Sequence, residues 1–262
     1  MKHLAANKVK GLTTFNLKVI GIILMFIDHI YEMFAHMGAP DWLDWFGRPV
    51  AILFFFLSVI GFSYTRSKKK YLLQLYIGML LMTLGSDLLQ RFVSYTDVQL
   101  MNNIFRDLLV GGLMMYGIDK IAVGFSEKRV GAVLFGSLLI FFPIITSVIL
   151  TMLLMIPKTV IIAAYAVKVV PALMFTENSF MVLLIPFMYL ARNYRWLQCL
   201  FIALVAAFFF TQNQTQWLMI RSVPLILLFN GEKGRSMKTF FYFFYSLHIW
   251  LLYLLSAFVA SR

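Results

Sequence analysis

From Leu17 to His36 the chain reads LKVIGIILMFIDHIYEMFAH, an apolar run of membrane length with Asp28, His29, Glu32 and His36 set into its second half. An ionised side chain at the centre of a bilayer costs at least about 2.5 kcal/mol, so such groups face a bundle interior or a wet cavity. The run is therefore read as one helix of a bundle built around chemistry or transport. On that helix His29 shares a face with Glu32 and His36, and Asp28 sits one position round. At 1.5 Å of rise per residue His29 lies about 18 Å into the run, just past the middle of a ~30 Å hydrocarbon core.

The rest of the chain repeats the pattern. Hydrophobic residues make up 61% of the 262 and charged ones only 13%, far outside the soluble range. Nine apolar runs succeed one another, at 17–36, 46–65, 71–90, 102–123, 130–156, 180–191, 196–211, 217–229 and 239–260. The expectation is an all-α, polytopic transmembrane bundle of about nine spans, one integral-membrane domain over residues 1–262. The first run is too long for a signal-peptide core and has no small-residue cleavage site, so it is read as a retained span. Cys199, the single cysteine, lies inside a later run and excludes an intrachain disulfide.

Charge sets the expected orientation. The formal charge of +12 is spread through the connections between spans, which argues against a nucleic-acid partner. Under a nine-span model the basic segments (Lys2 to Lys18, Arg66 to Lys70, Lys120 to Arg129, Arg192 with Arg195, and Lys233 to Lys238) all fall on one side. They hold 16 of the 23 Lys and Arg residues, and by the positive-inside rule that side is the cytoplasm, with the N-terminus in. The location expected is a bacterial inner or plasma membrane, with lipid as an obligatory partner. Residues 157–178 could be counted as a tenth span, but this would move all later basic loops outside. Lys158, Lys168 and Pro171 also interrupt the stretch, so it is read as an external interfacial or re-entrant helix.

Eight of the eleven acidic residues, Asp28, Glu32, Asp107 and Glu177 among them, then fall in outer halves or outer loops, joined by Arg48 and Arg221. An outward-facing polar cavity accounts for all of them. Asp87, Arg91 and Asp97 can equally be read as helix-end groups reaching interfacial water. His248, in the last run, can reach the depth of His29, and two histidines beside an aspartate make an acid and base assembly. Each histidine can also be read as a buried imidazole bonded to a neighbouring helix. The chain has no Gly-rich phosphate loop, no metal-ligand spacing and no nucleophile elbow. Gly111 and Gly112 are read as close helix contacts.

Taken in order, GLTTFNLKVIGIILMFIDHI, WFGRPVAILFFFLSVIGFSYTRSKKKYLLQLYIG, NNIFRDLLVGGLMMYGIDKI, LMFTENSF and LILLFNGEKGRSMKTFFYFFYSLHIWLLYL resemble the TraX family over nearly the whole chain. The resemblance implies an acetyltransferase like those that acetylate the N-terminus of conjugative pilin, within a wider clan of membrane acyltransferases. It places the family's Asp and His on Asp28 and His29, its Gly-Arg on Gly47 and Arg48, and its late Phe-Tyr-Pro-Leu-His on Phe244 to His248. The chain departs from the family at Ile60 to Thr65, where a Glu and a His are usual, at Ser246 for a proline, and at Asn178 and Ser179 for two glycines. The implied mechanism brings acetyl-CoA from the cytoplasm, where Arg66, Lys68, Lys69 and Lys70 meet its phosphates. His29, oriented by Asp28, either carries the acetyl group or removes the acceptor's proton, Arg48 steadies the oxyanion, and His248 is a second acid or base. Glu32, Asp107, Glu177 and Arg221 line the cavity for a peptide or small-molecule amine, and no metal takes part. The Arg66 to Lys70 cluster reads equally as a juxtamembrane anchor. A proton-coupled transporter and a catalytically inactive interaction protein are the alternative readings, although no internal repeat of the kind transporters carry is evident.

Overall fold

The computed structural model describes residues 10–93, 95–236 and 238–262; Lys2 and Lys8 of the basic start lie outside the described residues. The described chain is helical, its one β feature being an isolated parallel bridge between Leu12 and Phe229. The helices are α1 (Thr14–Phe34), α2 (Val50–Tyr64), α3 (Lys68–Val93), α4 (Ile104–Ser126), α5 (Val130–Met155), α6 (Val160–Val169), α7 (Leu184–Leu190), α8 (Arg195–Thr211), α9 (Ser222–Leu227) and α10 (Lys238–Ala260). Among the described residues five helical segments are long and apolar enough to cross a membrane: Asp41–Tyr64, Lys68–Val93, Ile104–Ser126, Val130–Met155 and Phe243–Ala260. α1 has the length, with 21 residues, but carries Lys18, Asp28 and Glu32.

The short elements share a construction. Each of α2, α7 and α9 is entered through a 3₁₀ segment, Asp41–Phe46, Ser179–Leu183 and Thr215–Arg221 respectively, and each has a proline at the junction: Pro49, Pro186 and Pro224. Proline is tolerated in a first helical turn because the N–H it lacks has no partner there. A 3₁₀ turn rises about 2.0 Å per residue against 1.5 Å in an α-helix, so the segments 179–190 and 215–227 reach about 20 and 23 Å. The stretch expected to be interfacial or re-entrant contains α6, whose ten residues extend only about 15 Å, half of a hydrocarbon core.

Glycine sets how closely the long helices approach. A Cβ on Gly117 of α4 would lie 2.6 Å from the backbone oxygen of Gly136 on α5, and one on Gly136 would lie 2.6 Å from the oxygen of Gly117. Gly111 admits Ile185 of α7, Gly112 admits Leu72 of α3, and Gly85 of α3 receives the Trp250 ring of α10. The packing role expected of Gly111 and Gly112 is thus seen in the side chains that occupy the space above them.

Contacts sort the bundle into two ends. At one, Leu12 and Thr14 bond the backbone of Leu228 and Glu232, Arg195 reaches the carbonyl of Phe229, and Lys68 pairs with Asp119 beside Tyr189. At the other, Arg48 bonds Gln216, Ser256 bonds the carbonyl of Met33, and Asp107 bonds the loop at 177–178. Lys68 and Arg195 lie at the first end, here termed basic, and Asp44, Asp107 and Glu177 at the second, here termed acidic.

Because a backbone oxygen cannot move aside as a flexible side chain can, Gly117→Ala should destabilise the detergent-solubilised protein by about 1–3 kcal/mol, the usual cost of overpacking. Gly131→Ala, on α5 with nothing within 4 Å of the added carbon, should leave the melting temperature unchanged or raise it. Thermal unfolding of the two variants side by side checks this.

Candidate active site

The site begins with two rings on the first and last helices. His29 of α1 and His248 of α10 are buried, at 3% and 5% exposure. Their rings stack with centroids 5.0 Å apart, and His29 Nδ1 lies 2.7 Å from His248 Nε2. On its far side His248 Nδ1 lies 2.6 Å from the carbonyl oxygen of Phe244. A carbonyl only accepts, so His248 carries its proton on Nδ1. Neutral His248 then presents a lone pair at Nε2, and His29 must donate from Nδ1. The remaining nitrogen, His29 Nε2, is left with its lone pair outward, 3.8 Å from Glu32 Oε2. One main-chain carbonyl thus sets both tautomers, and the chain of bonds ends in a basic nitrogen beside a carboxylate.

Glu32 opens a row of polar groups. Its side chain is 37% exposed, and its Oε2 accepts from Asn102 Nδ2 at 2.9 Å. Asn103 N–H donates to Glu177 Oε2 at 2.8 Å, and Tyr245 O–H donates to the same oxygen at 3.3 Å while accepting from Ile104 N–H at 2.9 Å. Tyr245 lies one helical turn from His248 and its ring packs edge-on to the imidazole, 6.1 Å between centroids. Asp107, wholly buried at the start of α4, accepts from Glu177 N–H at 2.9 Å, Asn178 N–H at 3.1 Å and Asn178 Nδ2 at 2.7 Å. Its neighbour Arg106 donates to the carbonyls of Phe175 at 2.8 Å and Lys168 at 3.3 Å. Arg106 and Asp107 together staple the 168–178 segment onto α4, and this brings Glu177 into the row.

Part of Glu177 is reachable by solvent, but its carboxyl is hemmed in by Asn103, Tyr245 and the loop bound to Asp107. That enclosure, with repulsion from Asp107 and Glu32, pushes its acid up from the ordinary 4.5 to about 8.

The expected site residues are placed unevenly. His29 and His248 meet, and Glu32, Glu177 and Asp107 belong to one hydrogen-bonded neighbourhood. Asp28 does not orient His29, because both ring nitrogens face other groups; its carboxylate lies over Gly47, in the space that a Cβ on that residue would need. Arg48 is spread over Asp44 (Nε to Oδ2, 3.0 Å, with a second bond from the other arm) and Gln216 (3.0 Å), so its fork is occupied. Arg221 is exposed and no hydrogen bond or ion pair among the described residues joins it to the acidic row. Lys68 pairs with Asp119 and lies over the Phe62 ring, whereas Arg66, Lys69 and Lys70 stay exposed. Among the described residues no group of three or more His, Cys, Asp or Glu is arranged to hold a metal ion.

Asn102, Asn103, Tyr245 and the Phe244 carbonyl are site groups that sequence reasoning passed over. Two asparagines before an apolar helix signal an N-cap. Here Asn103 makes no capping bond; its amide bonds Met79 O at 3.0 Å and Thr83 Oγ1 at 2.9 Å on α3.

Nitrogen-15 spectra of the histidine-labelled protein should show both site rings protonated on Nδ1 with an unprotonated Nε2 on His29; an Nε2-protonated His29 would break the chain of donors that starts at the Phe244 carbonyl. A second measurement concerns Glu177. Its acid is raised on folding, so protonated Glu177 favours the fold: the contribution is fully present below about 4.5 and is lost as pH rises through about 8. Glu177→Gln should therefore flatten the decline in thermal stability over that window and be the more stable form at its alkaline end.

Comparison with curated proteins and with solved structures yields no match. A family model described as TraX protein matches residues 14–256, from the first residue of α1 into the last turns of α10. That span takes in both histidines, the stapled loop and every residue of the acidic row, and on it the chain belongs to the TraX family.

Proposed function

We propose that this chain is a membrane-embedded acetyltransferase, carrying acetyl from acetyl-CoA at its basic end to an acceptor at its acidic end, the N-terminal amine of a pilin or other exported peptide. The observation that supports this best is the tautomer chain ending in His29 Nε2, a buried general base facing solvent-accessible Glu32. The orientation in this reading has the N-terminus and basic end in the cytoplasm of a bacterial cell, with nine crossings made by α1, the five long segments and the three shorter units 179–190, α8 and 215–227.

Acetyl-CoA would supply a thioester whose carbonyl carbon the amine nitrogen attacks, so that the C–N bond forms and the C–S bond breaks. The exposed Arg66, Lys69 and Lys70 fit its phosphates; Lys68, committed to Asp119, is left out of that set. His29 Nε2 takes the proton of the attacking amine and returns it to the departing sulfur, which closes the balance as free thiol and acetylamine. While the imidazole is charged, Glu32 offsets the charge from 3.8 Å, and His248, backed by the Phe244 carbonyl, holds the ring from turning. The carboxylate of Glu32 draws in an acceptor that arrives as an ammonium ion and releases one proton to solvent before its nitrogen attacks. Arg48 we assign to holding the outer mouth between Asp44 and Gln216.

The test is purified protein with radiolabelled acetyl-CoA and a peptide with a free N-terminus. Label should pass to the peptide, and His29→Ala should cut the rate at least about 100-fold, the scale of a lost general base. His248→Ala should lower it less, with the tautomer of His29 changed. No transfer by the native chain, together with unchanged acetylation of surface peptides in cells lacking it, would sink the enzyme reading.

A further inference from the structure

At the acidic end, on the outer surface of the bundle, α3 and α6 enclose a groove of about 550 Å³ that the proposed chemistry does not use. Its walls are apolar: Leu84 and Leu88 on α3, Ile162, Ala166 and Val169 on α6, with Leu84, Leu88 and Ile162 exposed. Its polar groups are Asp87, Arg91, Lys168 and the Tyr165 hydroxyl. Lys168 is paired with Asp87, and Arg91, one turn further along α3, is exposed and has no hydrogen bond or ion pair among the described residues. Lys168 and Asp87 cancel, so the groove carries one net positive charge, on Arg91.

Depth makes this arrangement specific. Counting from Lys68 at the basic end, Arg91 lies about 35 Å along α3, just beyond a ~30 Å hydrocarbon core, while Leu84 and Leu88 lie at about 24 and 30 Å, within or at its edge. An arginine at headgroup level above an apolar slot at acyl-chain level matches the two parts of a phospholipid, and the guanidinium fork matches phosphate oxygens. The α6 end of the groove is anchored, because Arg106 holds the Lys168 carbonyl.

We propose that the α3–α6 groove is a binding site for an anionic phospholipid, its phosphate on Arg91 and an acyl chain against Leu84, Leu88 and Ile162. The proposal does not depend on the acetyltransferase reading.

Native mass spectrometry of the full chain in detergent, with phosphatidylglycerol, phosphatidylcholine or diacylglycerol added, tests it. Phosphatidylglycerol should be retained best. Arg91→Ala should reduce its retention at least about fivefold, and Ala166→Trp, which fills the slot and leaves the charge, should do the same. Lys128→Ala, an exposed cation at the other end, should have no effect. Helical content and melting temperature confirm that each variant is folded. Equal retention of diacylglycerol, undiminished phosphatidylglycerol in Arg91→Ala, an equal loss in Lys128→Ala, or a dimer that Ala166→Trp disperses would each overturn the assignment, the last placing a second copy in the groove.

Discussion

The hydrogen bond from His29 Nδ1 to His248 Nε2 joins the first helix of this bundle to the last in an environment where an unpaired imidazole would be costly. Its direction is imposed from the main chain, since Phe244 C=O can only accept, and this determines which nitrogen of His29 is basic. The groups around it follow from the same constraint. Glu32, one helical turn beyond, sets a carboxyl 3.8 Å from that nitrogen, where it can offset charge once the ring takes up a proton.

The acidic row is held together by backbone donors more than by cations. Asp107 takes two main-chain N–H groups and an amide, and Glu177 takes one main-chain N–H and a phenol. Glu177, whose acid is raised to about 8, keeps its proton near neutral pH, so the row meets a ligand with hydrogen-bonding groups and no salt bridge to displace. Arginine in this region is used differently. Arg106 fastens a loop through carbonyls and Arg48 braces the mouth through Asp44 and Gln216, so neither offers a free fork to the space beside His29.

Helix lengths express a second compromise. The chain has long apolar helices with exposed outer faces, as in α5 with Leu134, Leu138 and Ile145, and short 3₁₀-led units with one face buried, as in α7 with Leu184, Ile185 and Met188. Irregular backbone at membrane depth is tolerable only where neighbouring protein satisfies its polar groups. Pro49 directly precedes α2, and Pro186 and Pro224 lie in the first turns of α7 and α9.

The amino-acid sequence by itself determined the helical class and the apolar helices long enough to cross a membrane. These are properties of composition, period and solvation cost, which need no neighbours to be read. It could not decide that His29 is partnered by His248 and Glu32 instead of the adjacent Asp28, that Lys68 is consumed by Asp119, or that Arg221 stands apart from the acidic row. Nor could it tell that Asn102 and Asn103 would spend their side chains on Glu32 and α3 instead of capping a helix. Each of these is a choice among partners distant along the chain and offered in space by the packing of α1, α3, α4 and α10. Hydrogen bonds of a few ångströms are decided by where glycine contacts let the helices approach, a quantity that only the tertiary structure contains.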